Sequence, residues 1–193
     1  MTDPQESDTG DLCDTQDGDI LLDENTASKY LQISDDRKTV SMVDTDESYP
    51  EIPEKFNCPQ VLSSQSFSSG RHYWEVDVGG SDEWTVGMCY PSIERKGWEA
   101  AGIGWNNKSW ALLRSEDQNF VNHDCDKTPL PTNLSSNRVR IVLDYEAGRI
   151  SFYDLCDPIR HLHTFTTTFT EPLHAGICVV KGTIKICGGK GEM

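Results

Sequence analysis

Seven cysteines and five histidines are the residues of this 193-residue chain with the widest chemical reach, as nucleophiles, general bases and metal ligands. Nucleophilic catalysis by a thiolate needs a histidine placed beside a cysteine. His72, His123, His161, His163 and His174 are scattered, and no nucleophile motif surrounds Cys13, Cys58, Cys89, Cys125, Cys156, Cys178 or Cys187. Two groupings invite a metal: Cys156 with His161 and His163, and the run His123-Asp124-Cys125-Asp126. Neither has zinc-ligand spacing, and alternation along a strand puts His161 and His163 on one face simply because they are two apart. Asp35-Asp36 and Glu116-Asp117 sit in turn-like settings and read as solvated loop charge rather than an acid/base pair. Gly79-Gly80 and Gly188-Gly189 lack the following helix or Lys-Ser/Thr of a phosphate cradle. The expectation is no catalytic site, no metal and no cofactor.

A different chemistry is carried by aromatics on long connections. The stretch 43–57 holds Tyr49, Ile52 and Phe56, 91–105 holds Trp98 and Trp105, and 114–131 holds Phe120. Loops of this length are frequently functional, and aromatics held on a rigid frame supply the buried anchors of protein interfaces.

The frame is written in alternation. In Val139-Arg-Ile-Val-Leu-Asp-Tyr-Glu-Ala-Gly-Arg-Ile-Ser-Phe-Tyr153, residues Val139, Ile141 and Leu143 share one face, Ile150 and Phe152 share another, and Asp144 to Gly148 carry the turn. This predicts a β-hairpin in which Gly148 takes φ > 0. Short strands are predicted at 30–33, 39–42, 60–62, 72–78, 84–90, 109–113, 138–144, 149–154, 163–165, 173–180 and 183–187. Trp74-Glu75-Val76-Asp77-Val78 and the Trp84, Val86, Met88 alternation read as adjacent antiparallel strands, with Trp74 a core anchor and Glu75 facing outward or meeting a polar partner. Trp110 reads as core. Asp23 is placed to cap a short helical turn over 24–28. Many short strands and no long helical pattern predict an all-β fold, a bent two-sheet antiparallel β-sandwich with one short N-terminal helical turn.

Composition bounds the partners. The net charge is −15, and the first 19 residues hold seven acidic residues and no basic one. Such a segment buries too little apolar surface to offset its ordering entropy, so 1–18 reads as an acidic disordered tail ahead of one domain over 19–193. The acidic balance argues against nucleic acid. An odd cysteine count, no secretory signal and no apolar run of membrane-spanning length point to a cytoplasmic chain of free thiols, monomeric in isolation.

The hairpin's Leu143-Asp144-Tyr145-Glu146 resembles a signature of the PRY-SPRY family, and Trp74-Glu75-Val76 resembles a second. Leu22-Asp23-Glu24, followed by Asp35-Asp36-Arg37-Lys38-Thr39-Val40, is similar to a third, with Glu24 where the family usually has proline. The resemblance covers roughly 19–188, with a PRY part at about 19–66 and a SPRY part at about 67–188. It implies a concanavalin-like jelly roll whose variable loops converge on one side to bind protein, as found at the C-terminus of tripartite-motif ubiquitin ligases and in butyrophilin-like proteins. The implied loops are 44–57, 80–83, 91–104, 113–127 and 179–182. The candidate contacts are Tyr49, Phe56, Glu83, Pro91, Trp98, Leu113, Ser115, Phe120, Val180 and Lys181. Leu113 and Ser115 stand where relatives can present aromatics. The implied function is non-catalytic protein recognition in a ubiquitination and innate-immunity setting, any ligase activity residing in a RING domain elsewhere. RNA binding, known in some tripartite-motif relatives, is the alternative.

Overall fold

The computed structural model describes residues 19–44 and 51–191, and the acidic segment 1–18 lies outside them. Thirteen strands run through these residues: β1 (Leu31–Ile33), β2 (Thr39–Met42), β3 (Gln60–Phe67), β4 (Arg71–Asp77), β5 (Glu83–Cys89), β6 (Ser109–Ser115), β7 (Gln118–His123), β8 (Asp126–Pro129), β9 (Arg138–Asp144), β10 (Arg149–Asp154), β11 (Arg160–Thr166), β12 (Leu173–Lys181) and β13 (Thr183–Gly191). They form two antiparallel sheets, one ordered β1-β2-β13-β4-β9-β10-β11 and the other β3-β12-β5-β6-β7-β8.

Alternation sets the packing. Trp74, Val76, Val139, Ile141, Leu143, Ile150 and Phe152 line the inner face of the first sheet. Trp84, Val86, Met88, Trp110, Leu112, Val121, Ala175, Ile177 and Val179 line that of the second. Trp74 spans the gap, donating its indole N–H to the Met88 sulfur at 3.3 Å. The expected β9–β10 hairpin forms, with Ile141 opposite Phe152 and Leu143 opposite Ile150. Gly148 has φ +69°, and a Cβ there would collide with the Thr167 carbonyl. Glu75 takes the second of its two expected roles: it is buried and accepts a 2.6 Å bond from the Arg140 Nε.

Three expectations are corrected. β4 and β5 are not neighbours, because β4 pairs with β13 and β9 while β5 pairs with β12 and β6. Both sheets face one core, so alternation alone does not say to which sheet a strand belongs. The stretch 114–131 is not an irregular loop but the meander β6–β7–β8. Its two connections place Glu116 and Asp117, then Asp124 and Cys125, at positive φ, the backbone of two-residue hairpin turns without the usual glycine. The helical turn at 24–28 is instead an isolated hydrogen-bonded turn. Asp23 does cap it, its Oδ1 accepting the Asn25 N–H at 3.0 Å. The helix cannot propagate because the next donor goes elsewhere, the Ser28 N–H to the Gln60 carbonyl.

A second, smaller apolar cluster lies on the outer face of the six-stranded sheet: Phe56, Cys58, Leu62, Cys89, Ile93 and Ala101. Gly176 leaves room for Ile103 to lie directly on β12. This cluster seats the long 90–108 connection, from which the site is built.

Candidate functional site

Three backbone segments meet where the outer cluster ends: the turn 23–30, the segment 51–57 and the segment 91–98. Arg95 clamps the last two, its Nη1 donating to the Glu54 carbonyl at 2.8 Å and its Nη2 to the Pro91 carbonyl at 2.7 Å. Asn57 adds an N–H to the Arg95 carbonyl and an Nδ2 bond to the Lys96 carbonyl. Lys96 Nζ reaches the Ile52 and Lys55 carbonyls, and Lys55 Nζ reaches those of Glu24 and Ala27. Side chains that cap carbonyls in this way replace water on loop backbone and hold the loops to one geometry.

On this latched base Trp98 stands 58% exposed, its ring centroid 6.1 Å from that of Tyr30 with the planes 50° apart. Lys29 Nζ lies 5.2 Å from the Tyr30 ring centroid. Together with Glu51, Lys55, Phe56, Asn57 and Lys96 they line a cavity of about 210 Å³. A second depression, of about 520 Å³, is lined by Asp23, Asn25, Ile52, Glu54, Pro91, Arg95 and His174 among others.

The expected contact residues fall into two groups, linked where the Val179 N–H bonds to the Pro59 carbonyl. Phe56, Pro91 and Trp98 belong to the latched loops. Glu83, Leu113, Ser115, Phe120, Val180 and Lys181 gather at one end of the six-stranded sheet, Glu83 opposite Lys181 and Leu113 opposite Phe120. Tyr49 lies outside the described residues. Phe56 is corrected: it is 2% exposed, packed in the outer cluster beneath the Arg95 guanidinium at 4.7 Å. Leu113 is corrected likewise, being 5% exposed in mid-sheet. Phe120 is half-buried on β7 under Lys127 rather than on a loop. Pro91, Glu83 and Ser115 are partly exposed, Lys181 is exposed, and Val180 is 39% exposed at the β12–β13 turn.

Sequence reasoning missed Tyr30, Lys29, Lys55 and Lys96. The alternation predicts Tyr30 on a strand, yet it sits just before β1, where its ring is free to turn outward. The lysines carried no signal because their grouping is made by three segments distant in sequence.

Several cysteines and histidines are occupied structurally. Burial pushes the Cys58 and Cys89 thiols up to about 12 and raises Cys178 as well, so at neutral pH they pack as small apolar groups. His123 stacks on Trp110 at 4.9 Å while its Nδ1 meets the Ser109 carbonyl. His161 bonds the Thr164 hydroxyl.

Two sheets in this strand order with loops latched over the outer face define a class, and comparison places the chain in it. The SPRY domain model matches residues 71–190, and the SPRY-associated domain (PRY) model matches 20–67. The chain belongs to the PRY-SPRY family. It is 38% identical over 168 residues to Mus musculus tripartite motif-containing protein 14, a match covering 86% of this chain and 38% of that protein. It is 36% identical over 156 residues to Bos taurus E3 ubiquitin-protein ligase TRIM21, covering 80% and 33%. To Bos taurus butyrophilin subfamily 1 member A1 it is 35% identical over 171 residues, covering 83% and 30%. The chain thus spans about a third of the length of these curated relatives. The crystal structure of the TRIM65 PSpry domain superposes with a TM-score of 0.80 at 29% identity, covering 88% of this chain and 89% of that one.

Proposed function

We propose that this domain is a non-catalytic protein-recognition module. Its binding face runs from Tyr30 and Trp98, past Pro59, to Val180, Lys181, Glu83 and Ser115. The observation that carries the reading is the contrast at Trp98: its indole is 58% exposed while the loop beneath it is clamped by Arg95, Lys96 and Asn57. An exposed tryptophan on a fixed loop offers large contact area at little ordering cost, which is how interface anchors work. The family match supports a protein partner, and the relatives named as tripartite-motif proteins and as an E3 ubiquitin-protein ligase support a role in selecting partners for a ligase system, with innate immunity as its setting. The cysteine pattern supports a cytoplasmic location. Glutamates interleave with the lysines along these loops, at Glu51, Glu54, Glu94 and Glu99, which favours protein over the phosphate backbone of RNA.

The test is affinity capture with the chain as bait, beside a Tyr30→Ala/Trp98→Ala variant. The expected result is a protein partner whose affinity falls by at least about thirtyfold in the variant while the melting temperature holds. A partner retained equally by both baits, or one that is an RNA, overturns the reading.

A further inference from the structure

The 210 Å³ cavity between Tyr30 and Trp98 is too small for a drug-sized ligand and has the scale of one or two side chains. Its composition is unlike the rest of the molecule. In a chain of net charge −15, the described residues that line it include three lysines, Lys29, Lys55 and Lys96, and one carboxylate, Glu51. Two of those cations are already ordered, because Lys55 Nζ and Lys96 Nζ each donate to two backbone carbonyls. An ammonium has three donors, so each retains one N–H for a ligand, and the entropy of fixing the side chain is spent before binding. The apolar part of the lining is aromatic: the Tyr30 and Trp98 ring planes lie 50° apart, and buried Phe56 also borders the cavity.

From this we propose that the cavity is the docking point for an acidic peptide segment of the partner, taking one carboxylate side chain against the lysines and a neighbouring apolar side chain between Tyr30 and Trp98. This rests on the domain being a protein-recognition module. A cationic ligand is disfavoured because Lys29 already occupies the neighbourhood of the Tyr30 ring, 5.2 Å from its centroid. A carboxylate is favoured over a phosphate because no guanidinium lines the cavity among the described residues: neighbouring Arg95 turns its Nη1 and Nη2 to the Glu54 and Pro91 carbonyls, so no arginine fork faces the ligand.

The experiment uses fluorescein-labelled peptides with Glu-Phe, Glu-Trp or Glu-Leu at the centre of a Gly/Ser frame, titrated with the full chain and followed by anisotropy. Matched Gln, Lys and phosphoserine peptides serve as comparisons. Lys29 is the chosen charge site because it is exposed and makes no latch. The expected result is that at least one Glu peptide binds about tenfold or more tightly than its Gln and Lys counterparts. Binding should weaken with salt, and Lys29→Glu and Trp98→Ala should each reduce it by about tenfold at unchanged melting temperature. Equal binding of Gln and Glu peptides overturns the assignment, as does a phosphoserine peptide binding tenfold tighter than Glu or indifference to Lys29→Glu. If all Glu peptides fail while a captured partner still depends on Trp98, the acidic-peptide inference falls and the recognition reading stands.

Discussion

Phe56 and Trp98 show how the same residue class on the same kind of loop meets opposite fates. Both are loop aromatics in sequence, but Phe56 finds an apolar seat formed by Leu62, Cys89, Ile93 and Ala101 and closed by Arg95, while Trp98 stands beyond the edge of that seat. Nothing local to either residue distinguishes them, since the seat is assembled from β3, β5 and the 90–108 connection. Phe56→Ala should therefore cost about 3–5 kcal/mol, as should Trp74→Ala in the main core, whereas Trp98→Ala should change stability by less than about 0.5 kcal/mol. Chemical denaturation of the three variants checks this ordering. Thiol reactivity follows the same logic of burial. Iodoacetamide should label exposed Cys125 in the native protein and reach buried Cys58 and Cys89 only on unfolding, as read by mass spectrometry with and without denaturant.

At the scale of elements, the β9–β10 hairpin was legible because its apolar period of two is uninterrupted and Gly148 marks the turn. Gly148→Ala should destabilise by about 1–3 kcal/mol, since it adds both positive-φ strain and a clash with the Thr167 carbonyl, measurable as a lowered melting temperature. The β7–β8 part of the meander was not legible. β7 reads Gln-Asn-Phe-Val-Asn-His, burying the polar Asn119 and Asn122 and so breaking the apolar alternation, and β8 is a wholly exposed edge strand containing Pro129. The turns at Glu116-Asp117 and Asp124-Cys125 also lack the glycine that usually announces them. On β11, half-buried His163 packs edge-on to Phe165 at 4.5 Å. Burial, with His161 adding to it, holds its imidazole below the usual value of about 6.5. The unfolded chain therefore takes up the proton first, so this contribution is complete above about pH 6.5 and is lost as the pH falls through the depressed folded value. His163→Gln should flatten that part of the stability profile between about pH 7 and 5, followed by urea unfolding at each pH.

For the whole molecule, the sandwich was readable from local pattern while the proposed recognition face was not. The alternation of Trp74, Val76, Val139, Ile141 and Phe152 states which faces are buried, and that is enough for the architecture. The face depends on where segments 23–30, 51–57 and 91–98 come to rest, which is set by carbonyl-capping side chains such as Arg95, Lys55 and Lys96 that look like ordinary surface charge in sequence. The central claim is that these latched loops carry the partner. It is tested most directly by hydrogen–deuterium exchange of the domain with and without its captured partner. The account predicts added protection in 24–30, 51–57 and 91–98. Protection confined to the β11 edge, or to any surface that leaves those three segments exchanging as in the free domain, would contradict it.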